Sequence, residues 1–139
     1  MNQPSHRRAL GAAWVLLATQ VVHGFIPSET HTHSVVGPVV GLVFLIATIV
    51  AIVGLARGRS FATRLLRMTG AAIAVGFVLY HVLPWKTPMT RPYIGEPVGV
   101  PAWIGVAVAV AAGIYAATVA GPLPRTGDLI AKAGTDLDQ

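Results

Sequence analysis

Four stretches of this chain carry no Asp, Glu, Lys or Arg: residues 9–28, 30–56, 68–85 and 97–124. A helix needs about 20 predominantly apolar residues to cross a hydrocarbon core, and each stretch holds such a run. A soluble amphipathic helix shows a polar face at every turn. These stretches are apolar nearly all round. The pattern predicts an all-α, polytopic integral membrane protein with four spans in a compact bundle. The expected spans are 9–26, 35–56, 67–85 and 102–120. They form one transmembrane domain over residues 1–121, followed by a polar tail over 122–139. Charged residues make up 11% of the 139 residues, against about 25% in soluble domains. That composition excludes a disordered chain and argues against a soluble enzyme domain.

Basic residues set the expected orientation. Arg7 and Arg8 precede the first span, Arg57, Arg59, Arg64 and Arg67 fill the turn after the second, and Arg125 and Lys132 follow the fourth. Only Lys86 and Arg91 fall on the other side. Short loops rich in Lys and Arg stay in the cytoplasm, so both termini are expected there. The net charge of +5 is therefore a topology signal that also suits anionic lipid headgroups, and no nucleic-acid partner is expected. The first 24 residues also resemble a secretory signal, with Arg7-Arg8 before an apolar run. Gln20 and His23 are unusual so close to a cleavage site, so the first helix is expected to be retained.

Local chemistry places the span ends. Pro27 and Pro84 close spans one and three, because proline lacks the N–H that continues a helix. Ser34 is positioned to cap span two, with Pro38 in its first turn. Arg57-Gly58-Arg59-Ser60 breaks that span, and residues 61–67 read as a short interfacial helix.

Lipid provides no hydrophobic drive for helix association, so close packing relies on small residues. Gly105, Ala109, Gly113, Ala117 and Gly121 recur every four residues and form one smooth ridge on span four. The first reading of this ridge is packing within the bundle. The second is a homo-oligomer or docking onto a larger membrane complex. Span two carries Gly37 and Gly41, a GxxxG pair. Phe25, Trp85, Tyr93 and Trp103 read as interface anchors, with Tyr80 one turn further in.

The chain has no cysteine, which excludes disulfides, thiolate metal sites and Cys nucleophiles. It contains no P-loop, no GxSxG and no HExxH motif. Histidine is the one informative feature. His6 lies with the basic N-terminal residues, whereas His23, His31, His33 and His81 all map to the opposite side. Imidazole ligates divalent transition metals. Glu29, His31 and His33 alternate in a short loop, which puts them on one side of an extended segment; His81 or His23 would complete the set. Alternatively, His23 and His81 come from different helices at similar depth, as bis-histidine ligation of haem b requires. Gln20, one turn before His23, is the expected hydrogen-bond partner if no cofactor binds. Prolines at 84, 88, 92, 97 and 101 make the following loop stiff. It reads as a connector, or else as a lid over the histidines.

The composition resembles that of small four-helix membrane proteins of GC-rich bacteria, with eight arginines against two lysines. The expected location is the bacterial inner membrane. The expected role is non-enzymatic: an accessory, assembly or interaction partner. The alternative is a metal- or haem-binding or transport protein using the histidine cluster.

Overall fold

A computed structural model of the chain describes residues 3–25, 36–84 and 92–120. The described secondary structure is entirely helical. It consists of α1 (Gln3–Phe25), α2 (Val36–Ala56), α3 (Ser60–Phe77), a π-helical turn (Val78–Val82) that continues α3, and α4 (Val100–Val119). α1 packs on α2 and α4, and α3 packs on the same two neighbours, while α1 and α3 meet only slightly. Three helical segments are long and apolar enough to cross a membrane: Val36–Ala56, Ser60–Val82 and Val100–Val119. α1 is as long, but Arg7 and Arg8 confine its charge-free part to residues 9–25, and Gln20 and His23 dilute that part. Those residues rise about 25 Å, at the lower limit of the length that spans a bilayer.

The side chains confirm the apolar exterior. Val39, Leu42, Val43 and Ile46 of α2, Val75 of α3 and Ile104 of α4 are all exposed. Contiguous apolar surface on this scale marks contact with lipid or protein rather than with water. The interior combines many alanines with a few larger aliphatic side chains. Ala9, Ala12, Ala13 and Leu16 of α1 pack with Ala51 and Leu55 of α2, Ala62 and Leu66 of α3, and Ala112 and Ala116 of α4.

One expected element is corrected. Residues 61–67 are not a separate interfacial helix; they are the first turns of α3, which starts at Ser60 rather than at 67. The reason lies in the preceding turn. Gly58 adopts φ +66°, its N–H bonds Leu55 O at 2.9 Å, and Arg59 N–H bonds Gly54 O at 2.8 Å. This paired return satisfies the last carbonyls of α2 and releases the chain directly into α3. The fourth helix starts at Val100 and takes Pro101 into its first turn, where a missing N–H costs nothing.

The small residues of α3 and α4 meet directly. A Cβ added to Gly70 would lie 2.6 Å from Gly113 O, and one added to Gly113 would lie 2.6 Å from Gly70 O. The centre of the α4 ridge is thus occupied by α3. Ala109 is buried and Gly105 and Ala117 are half-buried, while Gly121 lies outside the described residues. The GxxxG pair of α2 does not act as a unit. Gly37 receives the Tyr80 hydroxyl, whereas nothing approaches Gly41.

Polar side chains tie the helices across the apolar layer. Gln20 Nε2 donates to Thr48 Oγ1 at 2.9 Å and Thr48 Oγ1 donates to Phe44 O at 2.8 Å. Gln20 therefore links α1 to α2 and is not the partner expected for His23. At the arginine end, Arg67 Nη2 donates to Ala120 O at 3.1 Å, placing a cation at the C-terminus of α4, where the helix dipole favours it.

Candidate functional site: an imidazole and aromatic cluster

Chain topology brings the end of α1 and the end of α3 to the face opposite the arginines. There α1 delivers His23 and the π-helical turn delivers His81. The turn arises because Leu83 N–H bonds Val78 O at 3.1 Å, a five-residue return. Leu83 then becomes extended (φ −72°, ψ 137°), as the residue before a proline prefers. Single π turns of this kind occur frequently at functional sites.

The two imidazoles touch. Their ring centroids are 5.6 Å apart in an edge-to-face arrangement. Phe77 completes a triangle, 4.7 Å from His23 and 5.6 Å from His81. Tyr80 lies 4.8 Å from His81 on another side. Tyr93 lies 4.4 Å from His81 with its ring tilted by 49° and in turn meets Trp103 of α4 at 5.5 Å. His81 is buried. His23 Nδ1 is also buried, with no hydrogen-bond partner among the described residues.

The proline-rich loop contributes directly. Tyr93 N–H donates to His81 O at 2.7 Å, and Glu96 N–H returns to Tyr93 O at 3.3 Å. Gly95 has φ +83°, which the third position of a type II turn requires. The described part of this loop is therefore folded back onto His81. Tyr93, read from sequence as an interface anchor, is buried against the imidazole instead. Its place between Pro92 and the Gly95 turn was the available signal.

The structure thus brings His23 and His81 together. Glu29, His31 and His33 lie outside the described residues, as do Lys86 and Arg91. No cluster of three His, Cys, Asp or Glu exists among the described residues. The segment 26–35 joins His23's helix to α2, whose first turn touches Tyr80 through Gly37.

No family model matches the sequence. Neither the curated proteins nor the solved structures yield a match.

Proposed function

We propose that the chain is a multi-pass protein of the bacterial cytoplasmic membrane, with α1 as a fourth span, the helices in one bundle and both termini inside. Its role in this reading is non-enzymatic: an accessory, assembly or interaction partner of another membrane component. The observation that carries the reading is the use of the polar groups within the apolar layer. Gln20 and Thr48 bond each other, Thr19 bonds Val15 O, and Thr118 bonds Ile114 O. Each is committed to structure. With Gly113 occupied by Gly70, a partner or a second copy would meet the ends of the α4 ridge or the exposed apolar face of α2. The test is affinity purification of the chromosomally tagged protein in mild detergent. One stoichiometric membrane partner, or a defined homo-oligomer, is expected. A monomer with no partner across several detergents sinks the reading.

The contact between His23 and His81 favours a second reading, in which this end of the molecule binds a divalent transition metal. Two ring nitrogens on one ion lie about 4 Å apart at most, within reach of rings this close. Glu29, His31 and His33, or any of them, would complete the ligand set from the adjoining segment. A haem is less well served, because Phe77 fills the space beside both imidazoles and a macrocycle would have to displace it. Protonated rings cannot ligate, so binding weakens in acid. Metal content of tag-free protein, with calorimetric titration of zinc and copper, checks this. His23→Ala with His81→Ala should abolish binding, and His6→Ala should leave it intact. Substoichiometric metal, or affinity unchanged in the double variant, rules the metal reading out.

A further inference from the structure

Every described carboxylate belongs to one residue, Glu96, and it sits at the histidine end. The opposite end is purely cationic among the described residues. Arg7 and Arg8 of α1, Arg57 and Arg59 of the α2–α3 turn, and Arg64 of α3 are all exposed there. A concentration of exposed charge of one sign attracts anions.

The local arrangement on α3 narrows the ligand. Phe61, Arg64 and Met68 are spaced three and four residues apart, share one helix face, and are all exposed. Arg64 is thus flanked along the helix by two apolar side chains. Met68 lies on the side of the apolar layer, one turn deeper than Arg64. Arg67, also deeper, already bonds Ala120 O and anchors this part of α3 to α4. Arg57 and Arg59 lie just before the helix, held in place by the Gly58 turn. A soluble anion would need only the charges. A molecule with phosphate at one end and hydrocarbon at the other matches both the guanidinium groups and the apolar residue above them.

We propose that Arg57, Arg59 and Arg64, with Met68 and Phe61 beside them, form a headgroup site for anionic phospholipid. Guanidinium groups bind phosphate oxygens bidentately, and a headgroup whose phosphate charge is not cancelled by an ammonium is favoured by the surrounding cations. The site rests on the reading of the chain as a membrane protein.

The full-length protein, purified in detergent, is titrated with phosphatidylglycerol or with phosphatidylcholine, and bound lipid is counted by native mass spectrometry. Retention of phosphatidylglycerol over phosphatidylcholine is expected for the unaltered protein. Juxtamembrane arginines contribute about a fivefold gain each, so Arg57→Gln/Arg59→Gln/Arg64→Gln should lose roughly a hundredfold in preference. Lys86→Gln/Arg91→Gln should lose nothing. Inorganic phosphate added at constant ionic strength should not displace the lipid. Equal retention of both lipids by the unaltered protein overturns the proposal without any variant, and so does displacement by phosphate, which would mark a site for free anion. Alkaline carbonate extraction of native membranes separates the two levels. Release without detergent defeats the membrane reading itself; retention in the membrane with no headgroup preference defeats only the lipid site.

Discussion

Gly70 and Gly113 face each other backbone to backbone, each so placed that a Cβ would come within 2.6 Å of the other's carbonyl oxygen. A glycine in a helix ordinarily costs up to about 1 kcal/mol relative to alanine. Here the missing side chain is what lets α3 and α4 touch, and the close approach gains dispersion contacts along both helices.

Alanine at either of these glycines should therefore destabilise. Overpacking costs about 1–3 kcal/mol, and the obstacle here is backbone, which yields less than a side chain. Gly113→Ala and Gly70→Ala should each lower the midpoint of thermal unfolding in detergent, followed by circular dichroism. Gly41→Ala, with nothing within 4 Å, should leave it unchanged or slightly raised. Equal midpoints for all three variants would show that α3 and α4 do not meet at these residues.

Gln20 and Thr48 should be energetically coupled. Interhelical hydrogen bonds within membranes average about 0.6 kcal/mol and reach about 1.7. A double-mutant cycle with Gln20→Leu and Thr48→Val should return a coupling in that range. Strict additivity would place Gln20 elsewhere, with His23 as the first partner to test.

Tyr80 and Gly37 should show a compensating pair. A Cβ at Gly37 would lie 2.8 Å from the Tyr80 hydroxyl and 3.3 Å from the ring carbon that bears it. Gly37→Ala alone should cost roughly 1 kcal/mol. The same substitution in a Tyr80→Phe background should cost less, because the nearest obstructing atom is gone. Equal cost in both backgrounds would mean that the ring does not cover Gly37.

Topology is open to direct test. Reporter fusions after Arg59 and at Gln139 should read cytoplasmic, and one after Tyr93 should read external. An external signal at Gln139, with the other two as expected, would invalidate the placement of the C-terminus after a fourth crossing.

The helices themselves were legible in the sequence. Long uncharged runs specify buried backbone and therefore helix, and Arg57-Gly58-Arg59 marked the end of α2 through a left-handed residue that glycine alone adopts easily. These are local properties, settled within a few residues. Which faces meet was legible only in part: the ridge of small residues marked the packing face of α4, but nothing in the sequence marked the helix that fills it. In an apolar environment the inward and outward faces of a helix differ little in polarity, so polarity does not report its rotation. Only the packed structure assigns Gly113 to Gly70 and Gln20 to Thr48. The histidines show the same division. Sequence order placed His23 and His81 at one end, but their contact and the burial of Tyr93 against His81 depend on the π turn and on a loop returning across the end of α3. The reason is geometric. A hydrogen bond between Tyr93 N–H and His81 O joins residues separated by a proline-rich connection, and closing such a connection is decided by the positions of the helix ends, which exist only once the helices have packed.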